Sequence, residues 1–177
     1  MLHREPSADL PEAGTVQARH SVGLDVGEQA PDFTLPDHRG GKVTLSSHRG
    51  QASVLLHFFP FAFTNVCTQE WRSIRDIREE LDLSGAVLLG ISCDSPYALA
   101  DFAERAGIQH DLLSDFWPHG RVSREYGLFL EDKGFALRGS YLIDIDGRIA
   151  WSAITGPAQD RTIADYVHAL RTLQAGQ

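Results

Sequence analysis

The apolar positions of this chain recur with two different periods. Residues 53–59 are apolar except for Ser53 at the start and His57 within, and predict a buried strand. Residues 86–92 repeat that pattern. Between the two runs, Val66, Trp71, Ile74, Ile77 and Leu81 recur at helical spacing and predict one amphipathic helix over 64–81. Asp94-Ser95-Pro96 reads as a helix start, with Asp94 or Ser95 as cap and Pro96 in the first turn. That helix covers 97–106 and stops at Gly107. Residues 111–113 read as a short strand, and 120–126 as a short helix ended by Gly127. Strands over 140–144 and 148–152 meet at Asp146-Gly147, a hairpin dipeptide. Ile163, Tyr166, Val167 and Leu170 line one face of a closing helix over 160–173. Near the other end, residues 30–35 and 42–45 flank a turn-rich segment and predict a hairpin.

Strand–helix–strand–helix followed by a hairpin and a helix is an α/β order. It matches a thioredoxin-like sandwich, a central mixed β-sheet flanked by helices, here with an N-terminal β-hairpin extension. Residues 1–21 are polar, with two prolines and scattered charges, and are expected to form a disordered tail. Residues 22–177 are then one domain.

Composition narrows the function classes. The formal net charge of −8 argues against nucleic acid, which needs a basic face. No apolar run approaches the roughly 20 residues of a membrane span, and the N-terminus lacks the apolar stretch of a signal peptide. Two cysteines, Cys67 and Cys93, do not make a disulfide-stapled scaffold. They fit a cytoplasmic protein with a reactive thiol, or with two merely buried ones. The eight histidines show no metal-ligand spacing. His110 and His119 are read as surface or packing residues, and no metal or other cofactor is expected.

The chemistry concentrates in residues 58–70. Cys67 falls on the first turn of the predicted helix, where the backbone favours thiolate over thiol. Thr64 lies one turn earlier, within reach of the sulfur or of a substrate. Pro60 has no N–H and a rigid ring suited to shielding the sulfur from water. Glu70, three residues beyond Cys67, can orient a cation brought in by the fold, and Phe59, Phe61 and Phe63 would keep the pocket apolar. Peroxide reduction needs these parts: an ionised sulfur in line with the O–O bond, and donors for the departing oxygen.

Pro60, Thr64 and Cys67 meet the P-x-x-x-T-x-x-C pattern of the peroxiredoxins, with Glu70 as that family's frequent glutamate. The chain resembles this family again at residues 30–35, 113–120 and 126–127, and is most similar to its alkyl hydroperoxide reductase E branch. The resemblance extends over residues 22–173. It implies a thiol-dependent peroxidase acting on hydrogen peroxide or organic hydroperoxides through a Cys67 sulfenic acid. It also implies an arginine just before a late strand, met by Arg138, that holds the peroxide and is oriented by Glu70. Arg121 and Arg124 compete for that place but are read as surface charges. The expected cycle uses one cysteine, with an external low-molecular-weight thiol or a thioredoxin- or mycoredoxin-type protein as reductant, in a homodimer. In such a family the Trp117-Pro118 loop lines the active site or the dimer contact.

Cys93 ends a predicted strand, so core packing is its default role; a candidate alternative makes it the resolving cysteine of a two-cysteine cycle. Two further readings stay open. A thioredoxin-like disulfide reductase normally wants C-x-x-C, and the first cysteine is missing here. A non-enzymatic redox sensor would oxidise once without turning over.

Overall fold

The computed structural model describes residues 22–159 and 161–175. The expectation for residues 1–21 lies outside them. The central sheet has five strands: β3 (Val54–Phe58), β4 (Val87–Ser92), β5 (Asp111–Ser114), β8 (Arg138–Ile143) and β9 (Ile149–Thr155), in the order β5-β4-β3-β8-β9. β3, β4 and β5 run parallel, whereas β8 and β9 are antiparallel additions, so the sheet is mixed as expected. β3 is central and buried at every position, which is why its sequence is nearly continuous in apolar residues.

Strand side chains alternate between faces, and the sheet divides the core accordingly. One face carries Leu56, Phe58, Leu89, Ile91 and Leu113. It is covered by the N-terminal hairpin, β1 (Thr34–Pro36) and β2 (Lys42–Thr44), and by α4 (Arg121–Glu125), through Phe33, Leu35, Val122 and Tyr126. The other face carries Leu55, Phe59, Leu88, Leu112 and Leu142. It is covered by α1 (Asn65–Asp76), α2 (Arg78–Ser84), α3 (Pro96–Ala106) and α5 (Ile163–Ala175). Cys67, Trp71, Ile74, Leu99, Phe102, Tyr166 and Leu170 pack there. Each fully buried Leu or Phe side chain contributes about 1.5–3 kcal/mol.

Two local expectations are corrected and one element is added. The helix over 64–81 is two helices, because Ile77 (φ −101°, ψ 19°) leaves helical geometry and caps α1. Ile77 and Leu81 are nonetheless buried, so the apolar stripe runs across a break that periodicity cannot register. β8 begins at Arg138 itself, paired with Thr155, rather than after it. A small hairpin, β6 (Phe129–Leu130) with β7 (Phe135–Ala136), was not anticipated; two-residue strands are too short to carry a period. Ser95 is the cap of α3, accepting from the Ala98 N–H at 3.2 Å, which leaves Asp94 for other work.

Candidate active site

Sheet topology delivers the candidate residues to one end of the molecule. β3 ends at Phe58, and the Phe59 N–H still bonds the Ile91 carbonyl at 3.0 Å. Pro60, which has no N–H to offer a ladder, then closes the strand and is buried. Phe63 sits at φ +66°, and Thr64 follows in extended geometry as the N-cap of α1. The Thr64 hydroxyl accepts from the Cys67 N–H at 3.3 Å. Its hydrogen makes only a 3.5 Å contact with the Phe61 carbonyl. Cys67 is the third residue of α1 and is completely buried, against Phe59 and Trp71.

Glu70 lies one turn further along α1, on the same side as Cys67, and is buried. Two guanidinium groups converge on its carboxylate. Arg138 donates through Nη1 to Oε2. Arg161 donates through Nε to Oε1 at 3.0 Å and through Nη2 to Oε2 at 3.0 Å. The Arg161 backbone N–H adds a bond to Oε1 at 3.2 Å. Arg138 reaches this place because Gly139 stands opposite Phe58 in the β3–β8 ladder, and its Nε is held by the Pro157 carbonyl at 2.7 Å.

The two arginines differ in what they leave over. Every side-chain nitrogen of Arg161 is engaged: Nη1 also bonds the Phe58 and Gly139 carbonyls and Ser140 Oγ, and Nη2 bonds His57 Nε2 at 2.8 Å. Arg138 Nη2 has no hydrogen bond among the described residues. Arg161 is therefore a brace, and Arg138 presents a donor.

His57 completes the brace. A guanidinium only donates, so Nε2 of His57 accepts, and its proton sits on Nδ1 and goes to the Tyr166 hydroxyl at 3.0 Å. Tyr166 in turn bonds Ser140 Oγ at 2.6 Å. Complete burial, followed by the charges of Arg161 and then Arg138, holds the His57 imidazole well below its ordinary range. His57 is neutral, and the buried group of Glu70, Arg138 and Arg161 carries one surplus positive charge.

Residues 26–152 match the family model described as the AhpC/TSA family. The chain belongs to this family, the peroxiredoxins. It is 41% identical over 152 residues to alkyl hydroperoxide reductase E of Mycobacterium tuberculosis, a match covering 86% of this chain and 99% of that protein. It is 39% identical over 132 residues to peroxiredoxin Bcp of Escherichia coli, covering 71% and 83%. The crystal structure of peroxidoxin BcpB from M. tuberculosis superposes with a TM-score of 0.74 at 31% identity, covering 87% of this chain and 99% of that one. The chain is accordingly a thiol-dependent peroxidase with a thioredoxin-like fold.

Within this peroxiredoxin, four of the six sequence candidates fall on one stretch of the structure: the Cys67 N–H bonds the Thr64 hydroxyl, Glu70 follows Cys67 by one helical turn, and Glu70 is ion-paired with Arg138. Pro60 closes the strand that leads to them. Cys93 is elsewhere. It lies one residue past the end of β4 rather than in the strand, beside Asp115 and beside Ser123 of α4, the helix on the sheet face opposite α1, and it is a free, buried thiol like Cys67. Burial foremost, then the Asp115 carboxylate, pushes the Cys93 thiol up to about 12.

Arg121 and Arg124 are surface residues, as expected, paired with Glu125 and Glu131. His119 bonds the Gly134 carbonyl. Trp117 is 80% exposed. Sequence reasoning missed Arg161, His57, Tyr166 and Ser140. His57 carried a signal, being the one polar residue inside a buried run, where a polar group must find partners. Arg161 carried none; it follows a turn and looks like any helix-start charge. A cavity of about 470 Å³ lined by Asp144, Trp151 and His168 lies at the far end of β8 from Arg138 and takes no part in the site.

Proposed function

We propose that Cys67 is the peroxide-reducing nucleophile and that Thr64 and Arg138 hold the substrate. The Cys67 thiolate attacks one oxygen of hydrogen peroxide or an organic hydroperoxide. An S–O bond forms, the O–O bond breaks, and the distal oxygen leaves as water or alcohol after taking up a proton. Cys67 becomes a sulfenic acid. Two equivalents of an external thiol then return it to the thiol, releasing water and a disulfide. Low-molecular-weight thiols and thioredoxin- or mycoredoxin-type proteins supply that chemistry.

One observation carries this reading: the buried carboxylate of Glu70 is shared by two guanidinium groups, one saturated and one with a nitrogen to spare. A surplus positive charge in a buried place is costly, and a thiolate one turn away offsets it. The spare Arg138 Nη2 and the loosely held Thr64 hydrogen then serve the leaving oxygen. Pro60 walls off water. Phe59 and Phe63 make the surroundings apolar enough for an alkyl group, in keeping with the name of the mycobacterial relative.

A one-cysteine cycle fits best, because the sheet stands between Cys67 and Cys93. Rings of Phe61 and Phe135 meet at 4.8 Å, and a separate set, Phe129, His119 and Phe116, lies next to the exposed Trp117. A second copy covering these aromatic side chains gives a homodimer. The catalytic domain spans residues 22–177. Among the described residues no helix is long and apolar enough to cross a membrane, and we assign the enzyme to the cytoplasm, where two free thiols persist.

Mass spectrometry after one equivalent of peroxide tests the cycle. A sulfenic acid trapped on Cys67 is expected, and a Cys67–Cys93 disulfide would overturn the one-cysteine reading. Cys67→Ser is expected to abolish peroxide consumption with the fold intact. Consumption by that variant would remove Cys67 from the mechanism, and a single stoichiometric oxidation of wild type without thiol-fed turnover would make the protein a sensor.

A further inference from the structure

The loop between β3 and α1 determines where the nucleophile points, and it needs to be held. Pro60 cannot donate a hydrogen bond. Phe63 occupies φ +66°, a region that costs a bulky L-residue about 1–3 kcal/mol and persists only where the surroundings enforce it. The enforcement comes from the corner between β4 and α3. Asp94 Oδ2 accepts from the Ala62 N–H at 2.8 Å. The Phe63 ring packs on Phe102 of α3, with centroids 5.2 Å apart. Ala62 itself is buried in the core cluster that contains Cys67.

Asp94 is firmly placed for this task. The same Oδ2 accepts from Ser92 Oγ at 2.8 Å, the Asp94 N–H donates back to Ser92 Oγ at 3.2 Å, and its carbonyl accepts from Ser114 Oγ at 2.6 Å. Ser92 and Ser114 are buried. Because Ser95 caps α3, the Asp94 carboxylate is not spent on that helix.

We propose that Asp94 is a positioning residue of the peroxidase: through the Ala62 N–H it fixes the approach of the loop to α1, and so the placement of Thr64 and Cys67 relative to Arg138. Its charge is not what serves the reaction. An added anion next to the loop disfavours a thiolate, whereas a hydrogen-bond acceptor at this point is what the loop lacks. Misplacement by about 1 Å can cost as much as a hundredfold in rate.

This inference rests on Cys67 as nucleophile, which Cys67→Ser tests separately. Three variants separate position from charge. Asp94→Ala removes the acceptor, Asp94→Asn keeps an acceptor oxygen and drops the charge, and Asp94→Glu keeps the charge and moves the oxygen by one methylene. The readout is the second-order rate of Cys67 sulfenic acid formation with hydrogen peroxide, followed by quench-flow trapping and mass spectrometry. It is taken on the alkaline plateau, where the sulfur is ionised in every variant. Asp94→Asn is expected within about threefold of wild type, and Asp94→Ala and Asp94→Glu about tenfold slower. Asn as slow as Ala, or Glu as fast as wild type, would overturn the proposal. If Asp94→Ala does not fold, the Asn–Glu pair decides alone.

Discussion

The two cysteines are both buried, yet the places they occupy are opposites. Cys67 stands at the start of a helix, one turn from a carboxylate outnumbered by guanidinium groups. Cys93 stands on the other face of the sheet beside Asp115 and Ser123, where burial and a neighbouring carboxylate both favour the neutral thiol. Burial by itself therefore says little about a thiol. Under the proposed assignment, the sign of the charge beside each sulfur separates a nucleophile from a small apolar side chain.

The sharpest way to break this contrast is to remove the donor on the Cys67 side. Arg138→Ala is expected to slow peroxide reduction by about 10²–10³, the usual consequence of deleting one preorganised donor to a developing oxyanion. Arg138→Lys should recover little, because a single ammonium cannot bond the Glu70 carboxylate and the Pro157 carbonyl while also presenting a planar donor to substrate. Stopped-flow rates with hydrogen peroxide check both; a fully active Lys variant would reduce the arginine to a point charge. Thr64→Ala is expected to cost less, about tenfold to a hundredfold in rate together with about 1 kcal/mol of stability from the lost cap, while Thr64→Ser keeps most of both.

A smaller effect tests the brace behind the site. His57 is depressed below its ordinary value of 6.5 by burial and by Arg161 and Arg138. On acidification through 6.5 the unfolded chain therefore takes up a proton that the folded chain refuses. Stability is complete above that pH and falls below it, by at most about 1.4 kcal/mol per pH unit for one proton. Glu70 on α1, Arg138 on β8, Arg161 in the segment before α5 and Tyr166 on α5 are the charged and titratable groups around the ring. Urea unfolding of wild type and His57→Gln between pH 7.5 and 5.5 should show the variant less stable at neutral pH but with a slope shallower by one proton. His38, also lowered chiefly by burial, contributes in the same direction to both proteins and cancels in the comparison.

How much of this was legible in the sequence follows the same division. The strands over β3 and β4, the hairpin and the Thr64–Cys67–Glu70 spacing lie within single segments, where periodicity and capping chemistry act locally. The partner of Glu70 was partly legible: Arg138 is named by a family pattern, not by any local rule. Arg161 sits 91 residues from Glu70, and only the packing of the segment before α5 against α1 brings them together. Phe63 shows the same limit at short range. Nothing in a run of aromatics announces a left-handed backbone, and the groups that touch this loop, Asp94 on the Ala62 N–H and Phe102 on the Phe63 ring, come from another part of the chain.

The smallest expected effect is on the Cys93 side, and it sharpens the contrast most cleanly. With the Cys93 thiol near 12, about one molecule in ten thousand would carry a thiolate there at pH 8. Iodoacetamide applied to the native protein at that pH should leave Cys93 unmodified until denaturant is added. Cys93→Ser should retain peroxide turnover within about twofold under an external thiol supply, since its hydroxyl can keep the contact with Ser123 and change volume little. Loss of turnover in this variant, joined with an internal disulfide in wild type, would mean that the sheet opens far enough for the two sulfurs to meet. The separation by the β-sheet would then be a resting arrangement of a two-cysteine enzyme.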